Sequence, residues 1–312
     1  MVDLKIKLPE SFWGEEERSG YLVRANVKEL WAVQLDLLCE FDRVCKKYNL
    51  KYILDFGTLL GAVRHQGFIP WDDDLDVSML REDYDKLMEI GPKEFSHPYF
   101  LQNRQTDEGY DISVAKLRRT DTAFFEPENI KFRSKYNLGI FIDIFVWDNI
   151  PSNDENFVNA INQSSYDAYL HMYVLSHRPS LRDGMKLPLT AMRFLYYKVR
   201  YLSAEKEYQR VKAISTQFDK SDYVANIMYY KTECRPRQWH EKTTEIVFEG
   251  LKFPVPVDYH ELLSYCYGNY LMPVQCGSDH SVFYFNANRS YIEIIKERGF
   301  IDQSRLSCQF DL

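Results

Sequence analysis

The sequence has little of what marks a secreted, metal-stapled or membrane-spanning chain. Its six cysteines (Cys39, Cys45, Cys234, Cys266, Cys276 and Cys308) form no CxxC pair and no cluster with histidine, which argues against a zinc site and a disulfide framework. No apolar run approaches the about eighteen residues that a membrane span needs. Residues 1–12 mix charge and proline without an apolar stretch, so no signal peptide is expected. Basic residues are not in excess: 39 Lys and Arg stand against 46 Asp and Glu, a formal charge of −7. That balance disfavours a nucleic-acid surface and leaves nucleotide ligands open. There is no internal repeat and no low-complexity segment. The expected compartment is the reducing cytoplasm.

What is present is ordinary globular composition with a high aromatic share, 23 Tyr and 20 Phe in 312 residues. An aromatic core is the plain reading; contacts to sugars or quaternary ammonium groups are the sharper one. Apolar spacing predicts a helix over about 27–48, a strand over 52–56, a turn at Gly57-Thr58 and a short helix over 59–63. Strands are expected at 74–79, 99–102, 112–117 and 140–146, with a helix from Arg81 to about residue 90. Beyond 150 the pattern turns helical, at about 154–176 and 187–219, with a Pro/Gly-punctuated connector over 177–188. A hairpin about Glu249-Gly250, a short helix over 259–267 and a closing helix over 290–298 follow. This order gives an α+β fold, a sheet core flanked by helices with a largely helical C-terminal half. The expected division is 1–150 for a catalytic core and 151–312 for an acceptor region packed on it.

One stretch, from Gly57 to Val77, concentrates the chemistry. It holds a small-residue turn, the cationic pair Arg64-His65, and the carboxylates Asp72, Asp73, Asp74 and Asp76. Asp74 and Asp76 are two apart, so on a strand both leave one face while Leu75 and Val77 point to the other. Asp143 is the lone acid within Ile140-Phe141-Ile142-Asp143-Ile144-Phe145-Val146. An isolated strand acid is ordinarily a cap or an ion-pair partner, here for Arg64 or Arg118. A DxD pair plus a third acid on an apolar strand points instead to a hard cation, Mg²⁺ or Mn²⁺, as in phosphoryl or nucleotidyl transfer. Asp72 and Asp73 are expected to support these ligands. Trp71 is read either as a lid or as a stacking surface, and His65 as a hydrogen-bonding group. Gly57 and Thr58, at a strand-to-helix turn, would bring backbone N–H groups to phosphate oxygens.

The run GTLLGAVRHQGFIPWDDDLDV resembles the LicD family of phosphocholine transferases, whose relatives include fukutin and fukutin-related protein, within the nucleotidyltransferase superfamily. The resemblance continues at Arg81-Glu82-Asp83-Tyr84, from Ala115-Lys116-Leu117-Arg118 to Thr122, and at Phe141-Ile142-Asp143-Ile144-Phe145. Weaker echoes lie at Phe248-Glu249-Gly250, Pro254-Val255-Pro256 and Tyr267-Gly268-Asn269-Tyr270. It implies a nucleotidyltransferase-like, polymerase-β-type mixed sheet and a metal-dependent transferase. A phospho-alcohol, foremost phosphocholine, would pass from a CDP-activated donor such as CDP-choline to a hydroxyl of a cell-surface glycan, in lipopolysaccharide or capsule biosynthesis, releasing CMP. Asp74 and Asp76 would be metal ligands and Asp143 a third ligand or the general base. Gly57, Thr58, Arg64, His65, Lys116 and Arg118 would hold the donor phosphates.

Two other readings stand beside this one. The same acids suit a nucleotidyltransferase that uses an NTP and releases pyrophosphate, and a non-catalytic glycan- or nucleotide-binding protein is the third possibility. The donor alcohol stays open among choline, ethanolamine, ribitol and glycerol. A basic, aromatic stretch (Arg193, Phe194, Tyr196, Tyr197, Lys198, Arg200, Tyr201, Lys206) reads first as a core helix with a solvated cationic face. Its alternative is peripheral contact with the inner membrane face, where a lipid-linked glycan is presented. His280 with Asp279 is a further, weaker acceptor contact.

Overall fold

The computed structural model describes residues 2–110, 114–126, 129, 135–176, 186–201, 203–227, 233–274 and 284–298. After a small hairpin of β1 (Glu16–Arg18) and β2 (Tyr21–Val23), helix α1 runs over Ala25–Tyr48. Leu30, Trp31, Val33, Leu37, Phe41 and Val44 recur at helical spacing and are fully buried, each worth about 1.5–3 kcal/mol. Asn49 ends the helix in the left-handed region, its N–H bonding back to Cys45 and Lys46, while Lys46 and Lys47 sit at the negative end of the dipole.

Strand β3 is only Ile53–Leu54, and helix α2 already begins at Phe56, running to His65. The strand expected over 52–56 stops early because Asp55 caps the helix, accepting from the Phe56 N–H at 2.8 Å. Gly57 and Thr58 therefore form the first helical turn rather than a separate turn. Strand β4 (Asp76–Leu80) leads into α3 (Arg81–Glu94), and β5 (Tyr99–Gln102), β6 (Ala115–Arg119), β7 (Ala123–Phe125) and β8 (Ile140–Ile150) follow. The strand expected over 112–117 lies in part outside the described residues.

Strand β8 is the spine of a mixed sheet. It pairs parallel with β4 along one edge, antiparallel with β6 at the start of the other, and β5 and β3 extend the two sides. The register sets Asp76 against Asp143 and Lys116 against Asp143. Because side chains alternate, Val77, Met79, Leu117, Ile142 and Ile144 share the face that packs on α1 and α3, and Asp76, Ser78, Lys116, Arg118, Phe141 and Asp143 share the other. The apolar face carries a buried ion pair, Arg119 with Asp36 of α1. Asp36 also accepts from Tyr99 Oη at 2.6 Å and from the Lys5 N–H at 2.7 Å.

Helix α4 spans Glu155–Ser176. The long helix expected over 187–219 is two: α5 (Leu187–Tyr201) and α6 (Ala204–Ser215). Ser203, extended, caps α6 by accepting from the Lys206 N–H, with Glu205 and Glu207 in its first turn. The connector up to residue 185, and Asp279 and His280, lie outside the described residues. Short strands β9 (Tyr223–Ala225) and β10 (Cys234–Pro236) extend the sheet, β9 pairing with the last residues of β8. After α7 (Gln238–Glu241), the expected hairpin appears as β11 (Thr243–Phe248) and β12 (Leu251–Pro256). Glu249 and Gly250 both have positive φ, as a two-residue type I′ turn requires. Helix α8 (Tyr259–Tyr267) matches its expected bounds. Strand β13 (Tyr284–Asn286) pairs with β7, and α9 (Tyr291–Arg298) follows. Among the described residues no helix is long and apolar enough to cross a membrane.

Candidate active site

The polar face of the sheet brings three of the expected residues into one row. Parallel neighbours lie about 4.8 Å apart, so the β4–β8 register puts the Asp76 and Asp143 side chains next to each other. Both are buried. On the other side of Asp143, Lys116 donates from Nζ to Oδ1 at 2.6 Å, and its ammonium lies 3.4 Å from the centre of the Phe141 ring. The Asp76 N–H donates to Thr58 Oγ1 at 2.7 Å, which fastens the first turn of α2 to the start of β4.

A second group forms in the loop ahead of β4. Among the described residues, Asp72, Asp73 and Asp74 bring one carboxylate oxygen each within 4.8 Å of one another. Burial pushes the Asp72 carboxyl well above its ordinary range, and the neighbouring charges of Asp74 and Asp73 push it further. This crowding of hard oxygen donors is what a divalent cation relieves, so the donor set fits Mg²⁺ or Mn²⁺. The expected ligand set is thereby corrected: among the described residues Asp74 gathers with Asp72 and Asp73, which were expected only to support it, and the trio Asp74, Asp76 and Asp143 forms no such group, because the chain is still in the loop at Asp74 and β4 begins only at Asp76. Gly57 lets the Asp72 carboxylate come close: a Cβ at that position would lie 2.9 Å from Asp72 Oδ2. The carboxylate thus rests against the N-terminal turn of α2, whose dipole favours it.

The loop that carries these acids is tied down by residues the sequence did not single out. Trp31 Nε1 donates to the Asp72 carbonyl at 3.1 Å and Gln34 Nε2 to the Asp73 carbonyl at 2.8 Å, both from α1. The hairpin tip contributes Glu249, which accepts from Arg18 at 2.5 Å and from the Phe68 N–H at 3.1 Å. Gly67 leaves room for it, since a Cβ there would meet Glu249 Oε1 at 2.0 Å. The weak sequence echo at Phe248-Glu249-Gly250 thereby acquires a structural reason.

The remaining expected residues stand apart. Arg64 and His65 are at the far end of α2, roughly 9 Å along the helix from Thr58. Arg64 donates to the Tyr270 carbonyl at 3.1 Å and to His65 Nε2 at 2.9 Å. Burial, then the Arg64 and Arg18 charges, lower His65 to about 4, so near neutral pH it offers a hydrogen bond and no charge. Trp71 meets the His65 and Tyr21 rings edge-on. Arg118 shares the face of Lys116 but is held inward, on Gln102 and on the Gly139 carbonyl at 2.6 Å.

Sequence reasoning missed Asp55. Beneath the acid row it accepts from Ser78 Oγ at 2.5 Å and from one Arg235 nitrogen at 2.8 and 2.9 Å. Burial alone would raise its carboxyl; Arg235, with smaller help from His240 and Ser78, outweighs this and holds it below its ordinary value. Arg235 in turn stacks 4.1 Å from Trp147 and bonds Glu233. Phe56, in the left-handed region at φ 47°, packs its ring on Phe145, and this rigid base holds the strained junction. A cavity of about 400 Å³, lined by Tyr84, Arg104, Ala115, Met172 and Tyr208, lies on the other face of the sheet and touches none of these acids.

Residues 49–172 match the LicD/FKTN/FKRP nucleotidyltransferase domain. The chain is 26% identical over 261 residues to the lipopolysaccharide cholinephosphotransferase LicD of Haemophilus influenzae, covering 80% of this chain and 92% of that protein. Two uncharacterized rickettsial proteins match over shorter spans. The one from Rickettsia typhi is 44% identical over 110 residues, 35% of this chain and 34% of its own length. The one from Rickettsia prowazekii is 49% identical over 114 residues, 34% of this chain and 41% of its own length.

Proposed function

We propose that this chain is a LicD-type phosphotransferase, a reading supported by the match of residues 49–172 and by the likeness to the Haemophilus protein, and that it moves phosphocholine from a CDP-activated donor to a glycan hydroxyl of lipopolysaccharide. The observation that carries the reading is the row Asp76–Asp143–Lys116 beside the Asp72–Asp74 cluster at the start of α2. Carboxylates to hold a cation, an ammonium and helix-terminal amides for phosphate oxygens are the parts that phosphoryl transfer needs. The 92% coverage of the Haemophilus protein supports carrying its named activity to this chain.

The acceptor oxygen attacks the phosphorus that bears choline. A new O–P bond forms, the P–O bond to the bridging oxygen breaks, and CMP leaves with that electron pair. Mg²⁺ or Mn²⁺, when held by Asp72, Asp73 and Asp74 together with Asp76, supplies neutralising charge to the diphosphate. Lys116 adds a fixed cation on the β6 side and orients Asp143 through Oδ1. Asp143 either completes the ligand set or takes the hydroxyl proton. These roles separate in Asp143→Asn: loss of a ligand weakens metal affinity, while loss of a base lowers turnover at saturating metal. Arg64 and Arg118, committed to the Tyr270 and Gly139 carbonyls, brace the surrounding chain rather than reach the acids, and Gly57 and Thr58 present the α2 amides.

The test is incubation of the full chain with CDP-choline, Mg²⁺ and lipopolysaccharide, followed by phosphorus NMR, with EDTA and CTP as controls. Transfer predicts CMP and a phosphodiester on the glycan, both abolished by EDTA. Pyrophosphate released from CTP would favour the nucleotidyltransferase reading. No consumption of either donor, with ligand binding retained, would favour a binding protein. Replacing CDP-choline by the CDP-ethanolamine, CDP-ribitol and CDP-glycerol donors identifies the alcohol.

A further inference from the structure

Helix α5 is the part of the fold least like a soluble core element. Leu189, Met192, Leu195, Tyr196 and Val199 are 60–80% exposed, and no residue of the helix is buried. At 3.6 residues per turn these five fall within an arc of about 120°. The opposite side is where the helix is attached, with Tyr197 and Tyr201 against His171 of α4 at 4.9 and 3.7 Å between ring centres. Arg193 and Arg200 border one edge of the apolar arc and Lys198 lies beyond the other. The sequence of α5, LPLTAMRFLYYKVRY, contains no Asp or Glu. None of its three cations makes an ion pair among the described residues. In a chain of net charge −7 this is a local reversal of sign.

We propose that α5 is an interfacial helix that seats this protein on an anionic bilayer surface. The apolar arc would enter the headgroup boundary by about 5–10 Å, with Arg193, Arg200 and Lys198 on its borders meeting lipid phosphates. Charge favours this occupant over a second copy of the chain, because self-association would bring like cations together at both edges. Size favours it as well: a 15-residue helix is about 22 Å long, too short a seam for the roughly 1,200–2,000 Å² that a stable protein pair buries. The proposal adds a partner surface and does not depend on the identity of the donor or on transfer itself.

The test is flotation of the full chain with vesicles of phosphatidylcholine and phosphatidylglycerol, against phosphatidylcholine alone, at low and high salt. Wild type is expected to float with the anionic vesicles, at least about tenfold more strongly than with neutral ones, and to detach in salt. Arg193→Gln with Arg200→Gln should lower partitioning about thirtyfold. Leu195→Glu with Val199→Glu should abolish it, with melting temperature and CMP release on a soluble acceptor fragment unchanged, because these side chains are exposed. Wild type that ignores anionic vesicles, or glutamate variants that still float, would overturn the proposal. So would a wild-type dimer that the glutamate variants convert to monomer by light scattering. Vesicle binding without transfer would overturn the proposed function and leave this inference standing.

Discussion

Asp55 and Asp72 flank helix α2 and face opposite circumstances. Asp55 is enclosed, yet its two oxygens receive Arg235, Ser78 and the Phe56 N–H, and its carboxyl is held low. Asp72 is half-buried in the company of Asp73 and Asp74, and its carboxyl is driven high. One residue type therefore serves two ends. Where the fold supplies counter-charge, the acid is a strut; where the fold gathers acids instead, the crowding is what the proposed cation would relieve, and that side is its proposed receptor.

The comparison makes Asp76→Asn the most damaging change to activity and a mild one to stability. Asp76 belongs to the receptor side, so its loss should lower CMP release on the order of 10³-fold while the melting temperature holds or rises. A loss of fold in this variant would erase the distinction. Arg235→Met is the mirror experiment. It strands a buried carboxylate at Asp55 and should cost about 3–5 kcal/mol in urea unfolding. Adding Asp55→Asn should return most of that loss, and a neutral Arg235→Met would show that Asp55 is no strut.

Metal linkage sharpens the same contrast at smaller size. A cation that binds only the folded chain stabilises it by about 2.7 kcal/mol at a concentration one hundredfold above its Kd. Mg²⁺ should therefore raise the melting temperature of the wild type and of His65→Gln, and EDTA should reverse it. Asp72→Asn and Asp74→Asn should shrink the response. A response undiminished in both would place the cation elsewhere.

The receptor side was legible in part, because its signals are local: the run of acids was evident, but Asp72 and Asp73 read as supports although it is they that gather with Asp74. Asp74 and Asp76 alternate with Leu75 and Val77, and Asp143 is conspicuous in an apolar strand. The strut side was not, because Arg235 lies 180 residues from Asp55 and reaches it on a three-residue strand too short to carry a pattern. Gly57 and Thr58 read as a turn ahead of the helix, but they lie in its first turn, because Asp55, which reads as any strand-terminal acid, is the cap that starts it. Arg118 illustrates the converse: its position beside Lys116 was legible, while its commitment to Gln102 and Gly139 depends on a register that only the folded sheet sets. The stripe along α5 was visible as apolar periodicity, and periodicity is the same for a buried face and an exposed one.

The smallest effect is the slope of stability with pH, and it tells the two sides apart by sign. His240 belongs to the strut side: it is enclosed beside Trp147, neither ring nitrogen has a hydrogen bond among the described residues, and it lies near Asp55, Arg235 and Arg237. Burial, then the two arginine charges, lower it to about 3, against the opposing pull of Asp55. Below pH 6.5 the unfolded chain binds a proton that the folded chain refuses, so stability falls on acidification by at most about 1.4 kcal/mol per pH unit. Asp72 works in the other direction without metal, since the folded chain keeps a proton that the unfolded chain releases, and acidification relieves the crowding. In EDTA, His240→Phe should therefore flatten the loss of stability between pH 6.5 and 4, and Asp72→Asn should steepen it. Both variants moving the slope the same way would mean that strut and receptor are electrostatically one site.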